Sequence, residues 1–275
     1  MNDQIKILGI KINILSKQEI LEKIKELFNS ENRQEQLVTT NPEFIIEAQK
    51  NQEFKDILNN SWLSIADGYG VRLASKYCSL ALNFQFSIFN FQKIIKNFFI
   101  GLKVAWWGIT RNNKKLNIIK EIITGVDLVE EIAKNFNKKI FLLGGYSDVP
   151  RLTAKNLKKI NNNLIINYSV FEVDDIINEI NNFKPDILLV ALNHPRAQIW
   201  ISNNLNKTPS VKLAIGVGGA FDYISGKTKR APKNLRSSYE WLFRLFKQPQ
   251  RLKRIYRASI RFPWIVFQYH KDTYS

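Results

Sequence analysis

The stretch KKIFLLGG (138–145) decides the fold. Its apolar run from Ile140 to Leu143 does not alternate with polar residues, so both faces of this strand are expected to be buried. Helical spacing follows from Val149 to Ile160, and the same pairing recurs downstream. LIINYSVF (164–171), DILLVAL (186–192) and VKLAIGVGG (211–219) read as further strands, separated by helical stretches near 174–182 and 196–205. Upstream, QLVTTN (36–41) is a strand ending in polar residues, and Pro42 opens a helix where its missing N–H does no harm. SWLSIAD (61–67) is another strand, stopped by Asp67-Gly68. IKILGIKINIL (5–15) gives one or two strands more, and a helix runs from Lys17 to Phe28. Short apolar strands alternating with helices predict an α/β fold, a Rossmann-like parallel sheet with helices on both faces.

Ligands of such sheets bind beyond the carboxyl ends of the strands. The segments expected there are Thr39-Thr40-Asn41, Asp67-Gly68, Gly144-Gly145-Tyr146, Asn193-His194 and Gly218-Gly219. Gly144-Gly145 and Gly218-Gly219 follow strands and allow a nucleotide close to the backbone. Neither is the GxGxxG fingerprint, which argues against a dinucleotide enzyme. Asp67 reads either as a general base at a strand end or as an ordinary Asp-Gly turn residue. Asp222, just past the second glycine pair, binds a ribose or caps the next element. Asp174-Asp175 stands where a helix begins and reads as a cap rather than a metal site. Cys78 reads as a packing residue. His194 lies on the expected rim, and the sequence names no partner for it.

Charge narrows the partner. Among 275 residues, 41 Lys and Arg face 24 Asp and Glu, so a phosphate-bearing partner is expected. One cysteine excludes an internal disulfide and any multi-cysteine zinc site. With two histidines, acid–base chemistry must rest on carboxylates, and neither a metal nor a cofactor is expected. MNDQIKILGI lacks the apolar core of a secretory signal, which favours a cytoplasmic location.

Two segments break the strand–helix rhythm. Residues 80–122 are aromatic and basic, without about 20 consecutive apolar residues to span a bilayer; they suit a membrane interface or a helical pair packed on the core. The C-terminal segment holds twelve basic residues and one acid, Glu240, between Lys227 and Arg261. Such a basic amphipathic surface fits an anionic membrane. Nucleic acid is the competing partner on composition alone. The expected organisation is a core over 1–226, carrying the insertion at about 80–122, and a basic helical appendage over 227–275.

Seven blocks together resemble the WecG/TagA/CpsF glycosyltransferase family: TTNPEF (39–44), ADGYGVRLA (66–74), TGVDL (124–128), FLLGG (141–145), KPDILLVAL (184–192), IGVGGAFDYISGKTKRAP (215–232) and EWLFRLFKQPQRLKR (240–254). The resemblance implies an inverting, metal-independent transfer from a UDP-sugar donor, usually N-acetylmannosamine or its uronic acid. The acceptor it implies is a polyprenyl-diphosphate-linked N-acetylglucosamine, in cell-surface polysaccharide or teichoic acid synthesis. It implies an enzyme held peripherally on the inner face of the plasma membrane, compatible with a homo-oligomer and without nucleic acid. Thr39 and Asn41 match the family's active-site Thr and Asn, and Asp67 its proposed catalytic aspartate. Arg244, Arg251 and Arg254 match appendage arginines facing the substrate diphosphate. Gly144, Gly145, Tyr146, Gly218, Gly219 and Asp222 are expected to bind substrate. Where the family commonly has Gly-x-Pro-Lys-Gln-Glu this chain has Asn193-His194-Pro195-Arg196-Ala197-Gln198, which leaves Gln198 as the polar group for that contact. The rival readings are a basic, non-catalytic nucleic-acid-binding α/β protein and an inactive member of the family.

Overall fold

The computed structural model describes residues 3–82, 90–171, 175–230, 252 and 256–272. A hairpin comes first, β1 (Gln4–Ile7) and β2 (Ile10–Asn13), closed by Leu8 and Gly9 at φ 52° and 76°. Two positive φ values in a two-residue turn match the right-handed twist of the paired strands. Helix α1 (Lys17–Asn29) opens with a capping box, Ser16 and Glu19 satisfying each other's backbone N–H groups. Strand β3 (Glu35–Thr40), α2 (Pro42–Ala48), α3 (Gln52–Asn60), β4 (Leu63–Ala66) and α4 (Tyr69–Leu82) complete the first half. Then come α5 (Asn90–Ile109), α6 (Gly125–Asn135), β5 (Lys139–Gly144), α7 (Val149–Ile160), β6 (Ile165–Ser169), α8 (Ile176–Phe183), β7 (Ile187–Ala191), α9 (Arg196–Asn204), β8 (Leu213–Gly216) and α10 (Ala220–Ile224). A π-helical turn, Arg257–Arg261, leads into α11 (Phe262–Asp272).

The eight strands form one sheet in the order β1-β2-β4-β3-β8-β7-β5-β6, parallel except for the first hairpin. Successive residues of the central strands serve opposite faces, and both faces are apolar. Leu37, Ile65, Ile140, Leu142, Leu189 and Ile215 pack with residues of α1, α6, α7 and α10. Val38 and Ala66 pack with α2, α3, α4, α5 and α11, while Phe141, Leu143, Leu188 and Val190 pack with α8 and α9. This is the two-sided burial that continuous apolar strands require.

The rhythm-breaking segment at 80–122 contains the end of α4 and all of α5. Ile100 and Val104 on the inner face of α5 are buried in the same cluster as Val71, Cys78 and Phe262. The segment from Asn113 to Lys120 returns to the sheet held by Arg72, whose guanidinium donates to the Ile119 and Lys120 carbonyls at 3.2 and 3.1 Å. In the C-terminal segment expected as an appendage, Phe262 and Val266 of α11 are buried in that cluster too. Residues 231–251, where Arg244 and Arg251 lie, and Arg254 fall outside the described residues. Asp174 does also, whereas Asp175 caps α8 through its Oδ1, which accepts the Asn178 N–H at 3.4 Å.

Candidate active site

The chain leaves β3 for β4 on one side and returns with β8 on the other. It likewise leaves β5 for β6 and returns with β7. Strand order reverses at these two places, and crevices open there beyond the carboxyl ends. The rim therefore reads, in sheet order, Asp67, Asn41, Val217-Gly218, Leu192 and Gly144-Gly145.

The β3–β4 side presents side chains. The ladder pairs Thr39 with Ile65 and Thr40 with Ala66, so Asn41 and Asp67 leave the sheet side by side. The Asp67 N–H still donates to the Thr40 carbonyl at 2.9 Å, which fixes the backbone carrying its half-buried carboxylate. Thr40 is buried and its hydroxyl meets that of Ser64 at 2.7 Å. Asn41 caps α2, its Oδ1 accepting the Phe44 N–H at 3.1 Å, with Pro42 at the first helical position as its sequence requires. Thr39 lies on the opposite face of β3 and is 5% exposed. A Cβ on Gly125 would sit 3.8 Å from its Oγ1 and 3.5 Å from the Val217 carbonyl, so the start of α6 abuts the β3–β8 crevice.

The β5–β7 side presents backbone. Gly144 has φ +96°, and a Cβ there would stand 2.8 Å from the Ala191 carbonyl oxygen, a position no other residue fills without moving β7. Gly145 donates to that same carbonyl at 3.3 Å. Tyr146 projects outward, 61% exposed. Just past β8, Gly218 has φ +50° and faces open space, while Gly219 abuts the Asp222 carboxylate in the first turn of α10. Asp222 also accepts the Thr228 N–H on its backbone carbonyl at 2.9 Å. At about 4.8 Å per strand, Gly218 lies roughly 10 Å from Asp67 and the Gly144 turn roughly 19 Å. Thr39, Asn41, Asp67, Gly218 and Gly219 are thus brought together, and Gly144, Gly145 and Tyr146 form a second group along the same rim.

Gln198 lies beneath the rim. It is 1% exposed, and a Cβ on Gly216 would stand 2.5 Å from its Nε2; it reaches the rim only through that glycine. Its buried Oε1 accepts no hydrogen bond. His194 follows β7 and lies against the Phe44 ring at 5.1 Å. Together with Glu43, Glu47, Arg257 and Arg261 it lines a shallow cleft between α2 and the π-helical turn. Cys78 is buried within α4, and burial pushes its thiol up to about 12, which keeps it protonated and unreactive. Among the described residues, no three His, Cys, Asp or Glu side chains gather as a metal site requires.

The sequence reading missed a clasp beside the site. Arg230 is 8% exposed and pairs with Asp127 at 2.7 Å, and its other terminal nitrogen donates to the Thr124 hydroxyl at 3.1 Å. Thr124 caps α6 and bonds Asp127 at 2.7 Å. Burial pushes the Asp127 carboxyl up, but the bonds from Arg230 and Thr124 outweigh it and hold the carboxyl below its usual range. Lys227 pairs with Asp148 at 3.0 Å, just before α7, so residues 227–230 are pinned across the starts of two helices. The Thr-x-x-Asp spacing of TGVDL was the available signal, since a small hydroxyl three residues before an acid marks a helix start.

The sheet is covered on both faces and parallel apart from one hairpin, and a carboxylate and open glycine turns stand along its carboxyl edge, where ligands of such α/β folds bind. The chain belongs to the glycosyl transferase WecG/TagA/CpsF family, whose model matches residues 5–108 and 101–275, and it is a glycosyltransferase. It is 29% identical over 225 residues to an N-acetylglucosaminyldiphosphoundecaprenol N-acetyl-beta-D-mannosaminyltransferase of Bacillus subtilis, covering 79% of this chain and 73% of the relative. A protein of the same name from Staphylococcus aureus strain MRSA252 is 26% identical over 261 residues, covering 92% and 88%.

Proposed function

We propose that this enzyme transfers N-acetylmannosamine, or a closely related hexose, from a UDP donor to a polyprenyl-diphosphate-linked N-acetylglucosamine. The observation that carries the reading is the placement of Asp67 and Asn41 side by side, one residue beyond the Thr40–Ala66 rung that ends the β3–β4 ladder, roughly 10 Å across the rim from the open Gly218 turn. The names of the bacterial relatives, over most of both chains, supply the acceptor class.

Asp67 accepts the proton of the acceptor hydroxyl as that oxygen attacks the anomeric carbon, and the bond to the donor diphosphate breaks on the far side. The step needs one base and inverts the anomeric centre. Thr39 and Asn41 orient the reacting sugars. Gly218 and Gly219 admit the diphosphate to the backbone, Asp222 meets the ribose, and Gly144, Gly145 and Tyr146 hold the outer part of the donor. Gln198 acts by positioning Gly216 from beneath. Arg244, Arg251 and Arg254 neutralise the leaving diphosphate, since a guanidinium stays charged and pairs bidentately with phosphate oxygens; no resident metal takes part. The basic C-terminal segment holds the enzyme on the inner face of the plasma membrane, where it contributes to teichoic acid or a related surface polymer.

The test is UDP release from a panel of UDP-sugars with a synthetic lipid-diphosphate-N-acetylglucosamine acceptor. Acceptor-dependent release from UDP-N-acetylmannosamine is expected. No release from any donor, by a protein shown to be folded, would overturn the reading.

A further inference from the structure

Helix α5 is apolar on two sides. Its inner face, with Ile100 and Val104, is buried against α4 and α11. Its outer face carries Ile95, Phe98, Phe99, Leu102, Trp106 and Ile109, which are 41–74% exposed. At 100° per residue these six fall within a stripe of roughly 100°, one continuous ridge rather than scattered side chains. The ridge amounts to several hundred Å² of open apolar surface, at or beyond the largest patch that a soluble monomer ordinarily leaves uncovered.

What covers it is indicated by charge. No acidic residue occurs between Asp67 and Glu121, whereas Arg72, Lys76, Lys93, Lys96, Lys103, Arg111, Lys114, Lys115 and Lys120 all fall in that interval. Lys96 and Lys103 are exposed on α5 beside the ridge, and Lys103 lies over the Trp107 ring at 5.2 Å. Aromatic and aliphatic side chains bordered by lysines match the acyl–headgroup boundary of an anionic bilayer, where the apolar part enters and the ammonium groups stay at the phosphates. No described helix is long and apolar enough to cross a membrane, so a helix lying in the interface plane is the geometry that fits.

We infer that the outer face of α5 is a second membrane-docking surface, which inserts its ridge into an anionic lipid monolayer independently of the basic C-terminal segment. The placement has a consequence for the site. Helix α4 begins two residues after Asp67, α5 packs along α4, and the chain returns from α5 to bond Ala66 through the Ile123 N–H at 3.1 Å. The docking surface is thereby rigidly tied to the candidate base. That consequence rests on the function proposed above; the docking itself does not.

The test uses the full chain with an environment-sensitive nitrobenzoxadiazole label on Phe99→Cys, Cys78 being buried, and a control label on Ile160→Cys, at the end of α7 on the other face of the sheet. Vesicles containing phosphatidylglycerol are expected to shift the label at 99 to the blue and leave the one at 160 unchanged. Pure phosphatidylcholine vesicles should do far less. The double variant Phe99→Ser/Trp106→Ser should bind the anionic vesicles on the order of 100-fold more weakly, with thermal stability retained because both side chains are exposed. Vesicle binding with no change at 99 would overturn the inference. So would a label already blue-shifted without lipid in a concentration-dependent way, which would make the ridge an interface between two copies. Neither readout requires turnover, so an active enzyme whose α5 stays in water would sink this inference alone, and a docking but inactive protein would sink only the proposed reaction.

Discussion

The two halves of the rim are built from different materials. On the β3–β4 side, functional groups project from strand ends: Thr39, Asn41 and the half-buried Asp67. On the β5–β7 side the space is bounded by main chain, with Gly144 pressed against the Ala191 carbonyl. In the proposed reaction the first half supplies side-chain chemistry and the second supplies shape. Substitutions in the first should lower turnover at constant stability, and substitutions in the second should lower stability first.

The largest effect is expected at Asp67. Asp67→Asn keeps the size and the backbone bond to Thr40 but removes the proposed base, so kcat should fall on the order of 10²- to 10⁴-fold with Tm unchanged. A parallel fall in Tm would blur the division. Gly144→Ala should behave in the opposite way. Its positive φ and the 2.8 Å approach to a backbone oxygen predict a loss of roughly 2–4 kcal/mol, read by urea denaturation, with a fall in kcat of the folded fraction far smaller than that of Asp67→Asn.

The clasp between the halves should give smaller changes. Arg230→Gln strands the Asp127 carboxylate beside Thr124 and is expected to destabilise by roughly 1–2 kcal/mol, less than a fully buried pair because Asp127 is partly exposed. The same pair predicts an acid limb. A carboxyl held below its ordinary value contributes stability that is fully present above the unfolded pKa of about 3.9 and is lost as pH falls through the folded value. Wild type should therefore lose this contribution on acidification below about pH 4, and in Asp127→Asn this part of the acid dependence of Tm should vanish. The smallest effect is at Cys78, whose buried, protonated thiol should react with Ellman's reagent at mild alkaline pH only as fast as the protein unfolds.

This division explains what was legible in the sequence. The strands could be read because runs such as Ile140–Leu143 leave no wet face, and the rim followed from where those runs stop. Pro42 marked the start of α2, and the acid at the end of 61–67 marked Asp67. Long-range geometry was not legible. Arg230 meets Thr124 across 106 residues, and no local pattern announces that meeting. Gln198 enters as a candidate only through the family motif over 193–198, and no local pattern shows that its amide lies under Gly216. For α5 the sequence shows an apolar helix but not which side is covered: Phe98 and Phe99 are of the same chemical kind as the buried Ile100. Only packing separates an inner face from an open one.

The most direct measurement isolates the product. Purified protein is incubated with UDP-N-acetylmannosamine and a synthetic lipid-diphosphate-N-acetylglucosamine, and the lipid product is examined by mass and by its anomeric carbon–proton coupling. One added N-acetylhexosamine, with its anomeric configuration inverted relative to the donor, is expected from wild type and not from Asp67→Asn. A product with retained configuration, or one formed equally well by the Asp67→Asn enzyme, would contradict the proposed reaction.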